Sequence, residues 1–80
     1  MQIILENNVT HFKRYYDDIE LKEGKLFNTT ELDVSNLEDG EYTLFLLNNV
    51  NEVVTKELVK IGDYTMEYKT ERKFIQYGKK

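Results

Sequence analysis

The clearest pattern in the chain is an alternation of side chains on both sides of an asparagine-rich turn. In residues 41–47, EYTLFLL, both sets of alternating positions are mostly apolar, which predicts a central strand covered on its two faces. The asparagines of residues 48–52, NNVNE, predict a turn. Residues 53–61, VVTKELVKI, resume the strand pattern with a change of phase, which predicts a β-bulge near Glu57 and Leu58.

A half-buried strand and a corner are predicted just before this hairpin. Leu32 and Val34 alternate with polar residues in ELDVSNL, and Leu37 closes that segment. Gly40 follows in the sequence EDG, where a glycine is free to adopt a positive φ. This segment therefore predicts a strand that turns sharply into the central strand.

The two ends of the chain also favour extended structure. MQIIL and VTHFKRYY predict strands, and residues 17–30 predict a second hairpin with its turn at Glu23 and Gly24. A helix from Thr10 to Lys22 is the alternative for the first part, although the aromatic and β-branched content favours strand. Residues 64–77 predict one or two extended pieces around a polar break, with a short helix over 68–76 as the alternative.

Six or seven short strands with turns every eight to twelve residues indicate an all-β protein, built as a small antiparallel sandwich. Leu37, Gly40 and Tyr42 are spaced as in the tyrosine corner of Ig-like and fibronectin type III-like sandwiches, and the segment resembles that motif. The resemblance implies that the Tyr42 hydroxyl bonds back to the corner backbone. We therefore predict an Ig-like sandwich over residues 1–63, followed by an extended C-terminal segment over residues 64–80.

Size and composition point to partner chains as a source of stability. The chain has 80 residues, no cysteine and a single histidine, so we expect no disulfide, metal site or other cofactor. A core of this size holds about a dozen large side chains. No apolar run reaches the roughly 20 residues of a membrane span, and the first residues do not resemble an export signal, so we expect no membrane association.

The charges are divided unevenly along the chain. Residues 1–65 hold six Lys or Arg against thirteen Asp or Glu, whereas residues 66–80 hold five against two. An acidic body with a basic end suits docking on an acidic protein surface, including a sister copy. Nucleic acid is the less favoured partner, because affinity for phosphates follows the number of cations.

The C-terminal segment is the predicted interface. Tyrosine and arginine are enriched at protein interfaces, and we expect a small core to lack room for several more rings. Adding a strand to a neighbour's sheet edge would bury them. The alternatives are a last strand of the same domain and a surface that stacks bases. The interface residues proposed on this basis are Tyr64, Tyr68, Arg72, Phe74, Ile75 and Tyr77.

Catalytic groups are sparse. His11 and Ser35 are the only histidine and serine, and the sequence around Ser35 does not resemble a nucleophile elbow. Asp17 with Asp18, and the pair at 38–39, are adjacent acids that we interpret as solvated. We therefore expect no enzymatic activity, and we expect His11 to be a half-exposed strand residue.

A narrower resemblance concerns residues 32–42, 58–64 and 75–77, which read LDVSNLEDGEY, LVKIGDY and IQY. These segments resemble small virion proteins of crAss-like tailed phages, although Glu38 and Glu57 stand where that family tends to have proline and glycine. The resemblance implies a capsid auxiliary or decoration protein, made in the host cytoplasm. Its partners would be the major capsid protein or other virion subunits. A carbohydrate- or receptor-binding module and a small host-directed inhibitor are the alternatives.

Overall fold

The computed structural model describes residues 1–17, 19–20, 22–24, 28–62, 66–70 and 73–78, and in the last two segments it describes the side chains of Ile75 and Tyr77 only. All regular structure in these residues is strand, so the all-β prediction is confirmed and the helices considered over 10–22 and 68–76 are wrong. The strands are β1 (Gln2–Asn7), β2 (Lys13–Tyr16), β3 (Asn28–Asp33), β4 (Gly40–Leu47), β5 (Val53–Ile61), β6 (Met66–Thr70) and β7 (Lys73–Gly78).

The chain divides into two compact units, and the division does not follow the boundary predicted at residue 63. The first unit comprises Met1–Ile19 and Gly40–Lys60, and the second comprises Glu20–Asp39 and Ile61–Lys80. Each unit contains one sheet, in the order β2-β1-β4-β5 and β3-β7-β6 respectively. Residues 73–78, which we predicted to be a separate tail, thus form the middle strand of the second sheet.

The first unit buries one face of its sheet. Burial alternates strictly along β1, as expected for a strand with one covered face. β4 pairs antiparallel with β1 and lies inside the sheet, which confirms that it is a central strand. Three buried pairs lie in register across these strands: Ile3 with Leu46, Leu5 with Leu44, and Asn7 with Tyr42.

The polar residue of this buried face is Asn7, and its side-chain oxygen accepts two hydrogen bonds. The Asn7 Oδ1 atom accepts hydrogen bonds from the backbone amides of Val9 and Thr10, at 2.8 and 2.9 Å. These bonds shape the turn between β1 and β2. Burying an amide with its acceptor satisfied avoids the cost of an unpaired polar group.

The second unit corrects the expectation of a purely antiparallel fold. β7 pairs antiparallel with β6 but parallel with β3. Parallel neighbours need a long connection, and the 39 residues from 34 to 72 supply one. An isolated antiparallel bridge joins Lys22 to Thr29, which agrees with the predicted chain reversal at Glu23 and Gly24. Of that predicted hairpin, Asp18, Leu21 and residues 25–27 lie outside the described residues.

Two turns have the geometry that their residues predict. Gly40 has a φ of 149°, a value that L side chains rarely adopt. In the β4–β5 turn Asn51 has a φ of 62°, and the Asn48 Oδ1 atom accepts hydrogen bonds from the amides of Val50 and Glu52, each at 3.0 Å. The bulge expected in β5 stays a prediction, although β5 is one continuous strand.

Candidate binding surface

A row of apolar side chains crosses the face of the first sheet that is opposite to its buried face. Tyr15 on β2 lies directly opposite Ile4 on β1, and Ile4 lies directly opposite Phe45 on β4. Because paired residues share a face, the three side chains lie side by side. Ile4 and Phe45 are half-buried, and Tyr15 is 52% exposed.

A shallow groove of about 140 Å³ lies beside this row. Its lining residues are Ile4, Glu6, Lys13, Phe45, Leu47 and Val53, all of the first unit. Val53 is 55% exposed, whereas Leu47 is buried. We call Ile4, Tyr15, Phe45, Leu47 and Val53 the outer patch. An isolated apolar side chain on a surface is ordinary, but a contiguous group on one sheet face is typical of an interaction site.

Charged groups border the outer patch on both sides. Glu6 and Lys13 are directly opposite each other on β1 and β2, and both line the groove. The Lys56 ammonium lies 5.6 Å from the centroid of the Phe45 ring, a cation–π arrangement. An apolar centre with a charged rim is the usual anatomy of a protein–protein contact.

Two of the residues predicted for the C-terminal interface belong to the interior. Ile75 is 0% exposed and Tyr77 is 3% exposed. They lie on β7, where Tyr77 is the register partner of the buried Leu32 on β3. Burial also raises the pKa of the Tyr77 hydroxyl. The expectation that these two side chains need another molecule to cover them is therefore wrong, because the chain buries both by itself.

The side chains of the other four predicted interface residues, Tyr64, Tyr68, Arg72 and Phe74, are not described. The backbone of Tyr68 is part of β6 and that of Phe74 is part of β7, while their side chains lie outside the described part of the chain. Tyr64 and Arg72 lie outside the described residues altogether. For these residues the contact with a partner stays a prediction.

The three residues of the predicted corner have the burial and backbone that the motif requires. Leu37 and Tyr42 are both buried, and Gly40 between them has the positive φ described above. Among the described residues no buried side-chain nitrogen or oxygen lacks a hydrogen-bond partner. The bond from the Tyr42 hydroxyl to the corner backbone stays a prediction.

His11 and Ser35 each make local contacts. His11 is an exposed turn residue with a φ of 63°, so its assignment to a strand is wrong, and its Nδ1 atom lies 3.1 Å from the Glu6 Oε2 atom. The Ser35 hydroxyl donates a hydrogen bond of 2.6 Å to the Asp33 Oδ1 atom. His11 belongs to the first unit and Ser35 to the second.

The acidic pairs are at the surface where they are described. Asp17 is exposed and accepts a hydrogen bond from the Gln2 side chain, while Asp18 lies outside the described residues. Glu38 and Asp39 are exposed. Within the described part of the chain, no cluster of three or more His, Cys, Asp or Glu side chains is arranged to hold a metal ion. None of its segments is a helix long and apolar enough to cross a membrane.

The sequence interpretation missed the outer patch, although a signal for it was present. Ile4 and Phe45 sit at the second set of alternating positions in strands whose first set forms the buried face. We interpreted the two apolar faces of residues 41–47 as covered on both sides. The structure shows one face buried and the other, at Phe45, covered only in part. An apolar position on both sides of neighbouring strands was therefore the available signal.

Comparisons with known proteins leave this surface to be interpreted from its own geometry. A scan against models of protein families found no match, and searches of curated proteins and of solved structures found none either.

Proposed function

We propose that the protein is a non-enzymatic structural component of a tailed-phage particle, which attaches to the capsid shell as an auxiliary or decoration protein. The observation that carries the proposal is the outer patch. The apolar face of β1, β2 and β4 that the chain leaves partly open supplies a surface for adhesion. In this role the protein acts by contact area alone, with no chemical step.

The identity of the particle rests on the sequence. Residues 32–42, 58–64 and 75–77 resemble virion proteins of crAss-like phages, in which small β-sandwich components would occur in many copies. The uneven charge of the chain supports docking on another protein: the region beyond residue 65 is basic, while the remainder is acidic. We place the protein in the virion on this basis.

The architecture that we propose for this module is the Ig-like sandwich. It is supported by the seven strands, by the buried Leu37 and Tyr42, and by the positive φ of Gly40 between them. The proposed sandwich differs from a purely antiparallel one, because β3 pairs with β7 in parallel.

The outer face is small for a stable protein–protein interface. Four strands about 4.8 Å apart, each about six residues long at 3.3 Å per residue, give a face of about 400 Å². A standard interface buries about 800 Å² on each partner. One copy therefore binds weakly, and we expect binding to be measurable at micromolar rather than nanomolar protein.

Co-sedimentation with shells assembled from the major capsid protein of the same phage tests the proposal. The informative variant carries Tyr15→Glu with Val53→Glu, because both side chains are more than half exposed and tolerate a charge in the free protein. The matched control carries Val9→Glu with Val50→Glu, which places the same two charges on exposed apolar residues of the turns.

We expect the wild type and the control to sediment with shells and the patch variant to remain in the supernatant. Equal binding of both variants would show that the shell contacts another surface. If the wild type stays in the supernatant at high micromolar protein concentration, the proposed attachment to the capsid shell is wrong.

A further inference from the structure

β5 forms one edge of the first sheet. It is the last strand in the order of that sheet and spans nine residues without a proline, whereas β2 at the opposite edge spans four. Within the described ranges, no strand pairs with the far side of β5. The backbone N–H and C=O groups on the free side of an edge strand can pair with an extended segment of another chain.

The side chains of Lys56, Leu58 and Lys60 form a row along β5, which we call the β5 row. The Lys56 ammonium lies 5.6 Å from the centroid of the Phe45 ring, so Lys56 lies on the face of the outer patch. Side chains two positions apart in a strand share a face. Val59, between Leu58 and Lys60, is 5% exposed, as expected for a residue on the buried face. The β5 row therefore borders the outer patch.

The β5 row is accessible, and its two positive charges are not neutralised by a neighbouring acid. Leu58 is 57% exposed, and Lys56 and Lys60 are both exposed. In the part of the chain that the structure describes, neither ammonium forms an ion pair with a carboxylate. Glu57 lies at the intervening position, so its side chain points to the other face. The row thus presents an apolar side chain between two cations.

The two lysines determine which chain can pair with this edge. Lysine on an edge strand disfavours pairing with another strand that carries cations. Two copies of this chain, paired antiparallel about Leu58, would place Lys56 opposite Lys60. Like charges directly across a ladder destabilise the pair, whereas opposite charges stabilise it. The β5 row therefore disfavours a second copy in this register and favours an acidic strand.

We propose that the free edge of β5 binds an extended segment of a partner protein in which two acidic side chains flank an apolar one at alternating positions. The acids lie across from Lys56 and Lys60, and the apolar side chain lies across from Leu58. Main-chain hydrogen bonds provide the affinity and the lysines provide the selectivity. The site is an edge rather than the face of the outer patch, so the inference does not rest on the attachment to a shell.

Synthetic peptides with blocked ends provide the test. The peptide TETVTET carries the acid–apolar–acid pattern, which reads the same in both directions and therefore suits parallel and antiparallel pairing. TTEVETT is its matched control, because it has the same composition but no register places both of its glutamates across from the two lysines. TKTVTKT carries the opposite charges. The chemical shifts of the β5 backbone amides, measured by NMR on the isotope-labelled full chain, report binding.

We expect TETVTET to bind with a Kd of about 1 mM, and each of the other two peptides to bind about fivefold more weakly or less. The double variant Lys56→Glu with Lys60→Glu should prefer TKTVTKT to TETVTET by a similar factor. This gain of binding distinguishes a changed edge from a misfolded protein. Lys13→Glu with Lys22→Glu is the control: it alters the net charge equally at exposed residues outside β5, and should keep the wild-type preference.

Three results would overturn the proposal. If TETVTET shifts no β5 amide at about 10 mM peptide, the edge does not bind such a strand. Equal binding of TETVTET and TTEVETT would show that the carboxylates are attracted by charge alone, without a paired ladder. A variant with Lys56→Glu and Lys60→Glu that still prefers TETVTET would place the binding at another surface.

Discussion

At the scale of single residues, Gly40 separates a backbone effect from a packing effect. Its φ is 149°, and a Cβ atom added there would meet no other atom within 4 Å. We therefore expect Gly40→Ala to lower the free energy of unfolding by about 1–3 kcal/mol through backbone strain alone. Chemical denaturation measures this change.

D-alanine at position 40 is the matched control, and chemical synthesis of an 80-residue chain allows it. A D residue favours positive φ, so the D variant should unfold at nearly the wild-type denaturant concentration. Equal destabilisation by both enantiomers would show that packing, rather than the φ of Gly40, sets the cost.

Tyr77 predicts a loss of stability at alkaline pH. Burial raises the pKa of its hydroxyl, so the unfolded chain loses this proton at a lower pH than the folded protein does. The free energy of unfolding should be unaffected by Tyr77 below the unfolded pKa of about 10, and should fall as the pH rises from there toward the folded pKa.

Tyr77→Phe removes this titration and keeps the ring. Urea unfolding at a series of pH values should show the wild type losing more stability than the variant as the pH rises above about 10. Tyr15→Phe, at a half-exposed ring, should follow the wild type. Parallel curves for wild type and Tyr77→Phe would contradict the buried position of Tyr77.

Residue types predicted some backbone features and missed others. The positive φ values of Gly40 and Asn51 follow from residues that tolerate such angles. The φ of 63° at His11 was not predicted. That turn is shaped by the buried Asn7 amide and by the hydrogen bond from the His11 amide to the Asn7 carbonyl, and the burial of Asn7 cannot be recognised from the local sequence.

At the scale of strands, Ile75 tests whether β7 is interior. Ile75→Ala removes a side chain that is 0% exposed, and we expect it to cost about 2–5 kcal/mol of folding free energy. Leu58→Ala is the control, because leucine has the same number of atoms as isoleucine and Leu58 is 57% exposed. It should alter the free energy of unfolding by about 0.5 kcal/mol or less in dilute protein. Thermal unfolding of both variants gives the comparison.

An interface role for Ile75 would give the opposite pattern. The isolated variant would then fold as stably as the wild type and lose only its binding to a partner. Because Ile75 is buried, we predict that Ile75→Ala lowers the free energy of unfolding of the isolated protein.

The strand pattern could be predicted, whereas the pairing could not. Alternation identified β4, and it predicted the one or two extended pieces where the structure has β6 and β7. The same alternation fits a strand docked on a neighbour and a strand in the middle of the chain's own sheet. The parallel contact of β3 with β7 joins residues 45 positions apart, and nothing in either segment alone identifies the other.

At the scale of the whole molecule, the interior includes residues beyond position 63, which we had predicted to be a separate tail. We assumed one core filled by residues 1–63, and the chain instead has two compact units with one sheet each. The C-terminal strands help to build the second unit. Among the described residues, the outer patch of the first unit is a surface that we propose for a partner, and those predicted C-terminal residues whose side chains are not described stay candidates.

Electron cryomicroscopy of the assembled particle tests the central claim most directly. We predict that the row of Tyr15, Ile4 and Phe45 is covered by shell protein, with Ile75 and Tyr77 still buried within the protein itself. A particle in which that row faces solvent while β7 contacts the shell would contradict the account.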